Sequence, residues 1–456
     1  MHTLDGVTRS DQARALGLST FAFTVCFAVW TIFSIIGVRI KGELGLNDTE
    51  FGLLVATPVL TGSVSRIFLG VWTEQFGGRV IFPLQMMITA ICVWLLTSVH
   101  TYEIFLIAAL GLGLAGGSFI VGIAYTSRWF DKEHQGTALG IFGAGNVGAA
   151  VTNFAAPFLV VALGWEGTAK VYAVVLAATA ILFAVFAKTD PEQSARRQSG
   201  KRAVSTLEQL APLKKMQVWR FATYYFFVFG GFVALASFLP RYYVGAYGLP
   251  LTTAGVFAGL YSLPASVFRA LGGWMSDRWG ARAIMYLTFL VSLAVLFILS
   301  YPQTSYTVAG IHAPISFQFG LSVGVFVALT VLLGFMMSLG KAAVYKHIPV
   351  YYPHHVGAVG GLVGMIGGLG GFVLPICFGI LLDTTGIWTA PFMLMFAIVA
   401  LSTVWMHVAI RRMERRRHPA LAAEKFLSDV PDAPLTRPEA GAAPRPEAPR
   451  GAHLAE

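Results

Sequence analysis

The sequence predicts an all-α membrane protein with twelve transmembrane helices in two pseudo-symmetric six-helix halves. Three observations carry that expectation. The composition suits lipid better than water, apolar runs of spanning length recur twelve times, and part of the first half reappears 203 residues later.

A chain of 456 residues could fill two or three soluble domains, yet 56% hydrophobic and 12% charged residues do not make a solvated surface. A hydrocarbon core of roughly 30 Å is crossed by about 20 apolar residues of helix. Such runs lie near 16–38, 52–72, 80–99, 104–127, 135–162, 170–187, 219–243, 253–273, 281–300, 319–346, 355–382 and 388–410. The first is too long for a signal-peptide core and lacks a cleavage site. Segment 301–318 reads as a polar, Pro-containing outer loop, longer than its neighbours. The residues after Arg417 shift to Pro, Ala, Glu and Arg without an apolar period, the composition of a disordered tail.

The net charge of +10 raises nucleic acid as a partner, but the basic residues are not spread evenly. They gather in 188–217 and at Arg411, Arg412, Arg415, Arg416 and Arg417, while the opposite loops hold chiefly Arg39, Lys41, Lys170 and Arg241. This asymmetry is the positive-inside pattern, so both termini are expected on the cytoplasmic side of the membrane. Anionic headgroups account for the basic runs and nucleic acid is not expected. The organisation is then an N-terminal half over 1–187, a basic linker over 188–218, a C-terminal half over 219–410 and a cytoplasmic tail over 411–456. Cys26, Cys92 and Cys377 are scattered through spans as small packing residues, without metal-ligand spacing.

Residues 45–79 align with 248–282 without a gap, and 11 of the 35 positions are identical. Chance gives about two or three at average residue frequencies. The shared element G-x-x-[TS]-[ED]-x-[FW]-G-x-R runs from Gly70 through Glu74 and Gly77 to Arg79, and from Gly273 through Asp277 and Gly280 to Arg282. Each copy follows the second helix of its half. This resembles the loop signature of the major facilitator superfamily, whose halves are parallel repeats about an axis along the membrane normal. The resemblance covers about 15–410 and implies alternating access, but it is silent on cargo.

The same alignment matches Arg66 with Arg269, each well inside a span. A charge near the bilayer centre costs a few kcal/mol on insertion scales, and no Asp or Glu lies deep in a span to neutralise either one. One such arginine could reach the interface or bond helix carbonyls. A symmetric pair without carboxylates points to a bound anion, and a planar guanidinium suits a small oxyanion.

Span five carries Gly143, Gly145, Asn146 and Gly148, and span eleven carries Gly364, Gly367 and Gly368 among seven glycines. Glycines at helical spacing let backbones approach closely, so these are read as packing and gating positions. Asn146 differs, because an amide in mid-span needs a partner or a ligand. Together with the arginines, these segments resemble the nitrate/nitrite porter (NarK-like) family. That resemblance implies an anion held between Arg66 and Arg269 by Asn146, by Tyr225 of span seven, and by two rings stacked on its faces, Phe119 and Phe229. Stacking suits a flat anion and disfavours tetrahedral sulfate or phosphate.

Two G-x-G-x-x-G matches, at Gly111 and Gly143, follow no strand and are buried-helix glycines rather than dinucleotide sites. His347, His354 and His355 share no helical face with an acidic ligand, so no metal is expected, and no cofactor either. No acid/base pair or nucleophile suggests an enzyme. A site with two fixed positive charges reorients best when loaded, which is the logic of exchange. Span ten departs from that minimum with Lys341, Lys346 and His347, and so looks like the proton-coupled branch of the family. An anion arriving beside Lys341 and the arginines would favour a proton there, and the proton would favour the anion equally. Lys346 is expected to reach the interface. The expectation is therefore a monomeric carrier importing nitrate with protons, with nitrate/nitrite exchange as the alternative. A sensor or scaffold of the same fold is the remote one.

Overall fold

In a computed structural model, residues 8–130, 135–190, 215–351 and 356–417 are described. Spans one and two start where a side chain satisfies free backbone N–H groups, and spans one and seven stop where a glycine turns left-handed. Span one begins at a capping box in which Thr8 Oγ accepts from Asp11 N at 3.2 Å. It runs over Arg9–Trp30 and Phe33–Leu44 and stops at Gly45, where φ is 65°. Span two, Asp48–Phe76, is capped by Asn47, whose Oδ1 accepts from Glu50 N at 2.7 Å while the Glu50 carboxylate accepts from Asn47 N at 2.9 Å. Span three is Gly78–Leu96, and span four is Tyr102–Gly113 and Ser118–Ser127 joined by a 3-10 turn at Leu114–Gly117.

Span five is Gln135–Gly143, a 3-10 turn at Ala144–Val147, and the first part of Gly148–Phe186. The rest of that helix is span six, set off by Gly164 at φ 71° and ψ 174°. Span seven joins Met216–Tyr225 to Phe232–Tyr247 through a π-helical stretch at Phe226–Gly231. Span eight, Leu251–Val267 and Arg269–Trp279, is bent by 40°. Spans nine to twelve are Ala281–Leu299, Val323–Tyr351, Val356–Thr385 and Ala390–Arg417. Nine helices among the described residues are long and apolar enough to cross a membrane, and the bent pair makes ten. Gly164 divides one of them into two, and the 29-residue span two completes twelve.

The internal repeat follows from backbone demands. Gly45 and Gly248 both stand at φ 65°, and Gly77 and Gly280 at 88° and 86°, where a side chain would be strained. Thr73 and Ser276 donate alike to the carbonyl four residues back, at 2.6 and 2.7 Å. The loop expected over 301–318 is instead an antiparallel hairpin, Thr304–Val308 paired with Ile315–Phe319. Its β-branched and aromatic residues alternate with Ser, Thr and Gln, a two-residue period that overall polarity conceals. Residues 191–214 of the linker, the tail beyond Arg417, His354, His355 and the side chains of Glu74, Arg415, Arg416 and Arg417 lie outside the described residues.

The two halves close on each other at the end of the bundle away from the termini. A Cβ at Gly255 of span eight would come within 2.5 Å of the Asn153 carbonyl of span five, and one at Gly259 within 2.7 Å of the Phe154 ring. Asn153 donates to Ala236 O at 3.3 Å and to Ser262 Oγ at 3.1 Å across the interface, while Ser34 Oγ donates to its Oδ1 at 3.1 Å. The Asp383 carboxylate caps span two of the other half, accepting from Asp48 N at 3.0 Å, Thr49 N at 2.7 Å and the Thr49 hydroxyl. Asp48 in turn pairs with Arg241 at 3.3 Å and Lys41 at 3.2 Å. Toward the end that carries the termini, Gly140, Gly273 and Gly361 face open space. The cross-half contacts seal the bundle at the end away from the termini.

Candidate functional site

Helix irregularities position the candidate residues. Phe119 follows the 3-10 turn of span four, Asn146 lies inside that of span five, Phe229 lies in the π-helical stretch of span seven with Tyr225 just before it, and Arg269 opens the second segment of span eight. A local change in helical winding swings the following side chains out of the ideal 3.6-residue register, and π turns recur where such placement serves a site.

Each arginine meets the glycine-rich helix of the opposite half. Arg66 is buried, and its Nη1 donates to the Gly364 carbonyl of span eleven at 3.0 Å, with Nε reaching Gly116 O of its own half at 3.4 Å. A Cβ at Gly368 would sit 2.5 Å from Ser63 Oγ and 3.4 Å from Arg66 Nη1. Symmetrically, a Cβ at Gly143 of span five would sit 3.5 Å from Arg269 Nη1. That nitrogen is buried and has no hydrogen-bond partner among the described residues. Gly364 also lets the Tyr345 hydroxyl approach, Gly367 admits the Tyr225 ring, and Gly145 and Gly148 admit span one at Phe23 and Ala28.

Aromatic rings link the two arginines. The Arg66 guanidinium lies 5.5 Å from the Phe119 ring centre and 5.8 Å from that of Phe229, so the two rings flank the arginine itself. Phe229 stacks on Tyr225 with centroids 5.0 Å apart and planes 11° apart, and Tyr225 meets Tyr345 edge-on at 5.0 Å. Tyr345 then lies 5.4 Å beneath the Arg269 guanidinium and donates to Gly360 O at 3.2 Å. Cation–π contacts of this sort contribute about 2 kcal/mol when desolvated, enough to orient a guanidinium and too little to neutralise it.

Asn146 is almost wholly buried, and neither its Nδ2 nor its Oδ1 has a partner among the described residues. An orphaned amide of this kind costs about 1–3 kcal/mol, which a polar ligand at the amide would offset. Lys341 is completely buried in span ten, its Nζ 3.6 Å from the centre of the Phe232 ring and within electrostatic range of Arg269. It too lacks a hydrogen-bond partner among the described residues. No carboxylate among the described residues pairs with Arg66, Arg269 or Lys341. Lys346, expected from sequence to reach the interface, is part-exposed and pairs with the exposed Asp277 of the second loop motif. Of the remaining motif residues, Arg79 is exposed and its Nη1 donates to Thr189 Oγ at 3.4 Å, while Arg282 is fully buried. Gly70 packs on Ile120, and Gly273 faces open space.

Sequence reasoning did not single out Tyr345, Asn153 or Asp383. Tyr345 was accessible, since it stands one helical turn beyond Lys341 on the same face. Asn153 and Asp383 act through partners in the other half, which no local pattern announces.

A profile described as Major Facilitator Superfamily matches residues 18–326. The "Probable nitrate/nitrite antiporter NarK1" of Thermus thermophilus is 43% identical over 89% of this chain and 93% of its own length. The "Probable nitrate/nitrite transporter NarK2" of Mycobacterium tuberculosis strain H37Rv is 31% identical over 82% of this chain and 90% of its length, and the "Nitrite extrusion protein" of Bacillus subtilis strain 168 is 28% identical over 86% and 94%. Among solved structures, a bacterial homologue of the human lysosomal transporter Spinster, inward-facing and occupied, superposes with a TM-score of 0.68 at 13% identity, covering 89% of this chain and 98% of that one. The nucleoside transporter NupG follows at 0.64 and 14%, covering 87% and 99%. At such identities the likeness concerns the fold alone. The matched profile, the related sequences and the shared architecture agree, and the chain belongs to the major facilitator superfamily of transporters.

Proposed function

We propose that this transporter imports nitrate across the bacterial cytoplasmic membrane by nitrate/proton symport, with alternating access between its two halves. The observation that carries the reading is the set of buried Arg66, buried Lys341 and part-buried Arg269, which has no carboxylate partner among the described residues, together with the orphaned amide of Asn146. Three cations in low dielectric repel one another, and one small anion relieves them. Arg66 and Arg269 would clamp the anion from opposite halves, Asn146 would donate to it, and Tyr225, Phe119 and Phe229 would present flat surfaces to it. The names of the relatives, which concern nitrate and nitrite, support this cargo class.

The basic residues near the termini favour a cytoplasmic location for that end, so the sealed end is the outer one. Gly364 and Gly368 on Arg66, and Gly143 on Arg269, are where the halves would hinge. Lys341 is the proton-coupled residue: with the anion absent its charge is opposed by Arg269, and with the anion present it is compensated. Exchange of nitrate for nitrite is the second reading, favoured by the word antiporter in the name of the Thermus relative. Proteoliposomes separate the two. Nitrate accumulation driven by an imposed pH gradient, with no nitrite inside, is the result expected for symport; strict dependence on internal nitrite would replace it with exchange.

A further inference from the structure

The hairpin between spans nine and ten is two-faced. Its register places Thr304 opposite Phe319, Tyr306 opposite Phe317 and Val308 opposite Ile315 on one face, and Ser305 opposite Gln318 and Thr307 opposite Ser316 on the other. The second face satisfies itself in part, with the Thr307 and Ser316 hydroxyls 3.0 Å apart. The first is an exposed apolar row. Tyr306 and Phe317 stack at 5.4 Å, and Ile311 at the tip is 98% exposed. The ribbon is rooted where Phe319 meets Tyr301 edge-on at 5.1 Å, and beyond that root its strand residues are exposed on both faces.

We propose that this apolar row lies in the lipid interface of the leaflet at the end away from the termini, so that the hairpin is a membrane anchor for the spans nine and ten pair. Three observations point to lipid. The row rises between span ends that themselves carry exposed apolar side chains, Phe297 and Ile298 of span nine and Val325 of span ten. Residues 301–322 contain no Asp, Glu, Lys or Arg, so nothing in the segment forces it out of the headgroup region or offers a charged partner an ion pair. A stacked Tyr and Phe belong where an aromatic ring can sit at headgroup depth with its polar edge wet. A second copy of the chain fits less well. One face of this ribbon measures roughly 17 by 10 Å, far below the ~1,200 Å² that a specific protein interface buries.

The test uses the full chain in lipid nanodiscs, with Cys26, Cys92 and Cys377 replaced by Ala and a single spin label introduced at Thr307, Val308, Phe317 or Gln318 in turn. Accessibility to oxygen, which partitions into lipid, is compared with accessibility to a water-soluble nickel complex. The expected result is a two-residue alternation: labels at Val308 and Phe317 oxygen-accessible and shielded from nickel, labels at Thr307 and Gln318 the reverse, by several-fold in the ratio. Equal nickel accessibility at all four sites would overturn the proposal. So would dipolar broadening between labels on separate copies, which would assign the row to self-association instead.

Discussion

Replacing Asp383 with Ala tests the outer seal without touching the site. The carboxylate holds the start of span two through Asp48 N at 3.0 Å, Thr49 N at 2.7 Å and the Thr49 hydroxyl, and it also sits at the positive end of that helix. Buried charged hydrogen bonds contribute about 1.5–3 kcal/mol each, but these are exposed and share one acceptor group, so about 2 kcal/mol for the set is a fair allowance. The bonds link opposite halves and exist only when that end is sealed. At about 1.4 kcal/mol per decade, their loss should raise the ratio of outward-open to inward-open molecules roughly 30-fold. Spin labels at Leu44→Cys and Ile387→Cys, on the outer ends of the two halves, read that ratio as the weight of a longer distance in a pulsed dipolar measurement. The seal at Asn153 and the Asp48–Arg241 pair remain, so the fold should survive. An unchanged distance distribution in Asp383→Ala would refute the latch and, with it, the assignment of this end as a gate.

Gly255→Ala should act in the same direction for a steric reason, because its Cβ would fall 2.5 Å from the Asn153 carbonyl, an approach that backbone cannot easily yield; the same distance measurement checks it. For Lys341→Ala, the account expects protein level to be kept, since an unpartnered buried cation is removed, and the dependence of nitrate uptake on an imposed pH gradient to disappear. Uptake that stays proton-driven would remove Lys341 from coupling. Tyr345→Phe keeps the ring beneath Arg269 and removes the hydroxyl that donates to Gly360 O, so nitrate affinity should fall by less than about tenfold, the equivalent of one hydrogen bond.

Much of the candidate site was legible because its demands are local or duplicated. Arg66 and Arg269 stood out since a charge in mid-span is costly and this one recurs at the same place in the repeat, whose span ends are fixed by Gly45, Gly77, Gly248 and Gly280 at positive φ. Asn146 stood out for the same reason of cost, and its two unpartnered atoms fit that reasoning. The aromatic residues were harder. With 35 Phe in the chain, composition cannot say which rings approach Arg66, and the winding changes that aim Phe119 and Phe229 depend on packing between spans rather than on any residue pattern in them. Tyr345 followed from Lys341 by helical spacing but carried no charge to draw notice. Asp383 contacts residues 334 and 335 positions away, and the hairpin hid its period-two pattern inside a segment that reads as polar loop.

The central claim is that two arginines, one from each half, bind one small planar anion, and calorimetric titration of the purified protein with nitrate tests it most directly. Wild type should bind nitrate saturably and give no signal with sulfate or phosphate. Arg66→Lys and Arg269→Lys each keep the charge but lose the planar fork, and each should weaken binding by about 100-fold or more, as expected for the loss of two charged hydrogen bonds. Near-normal nitrate affinity in either lysine variant, with the protein still folded, would contradict the two-arginine clamp.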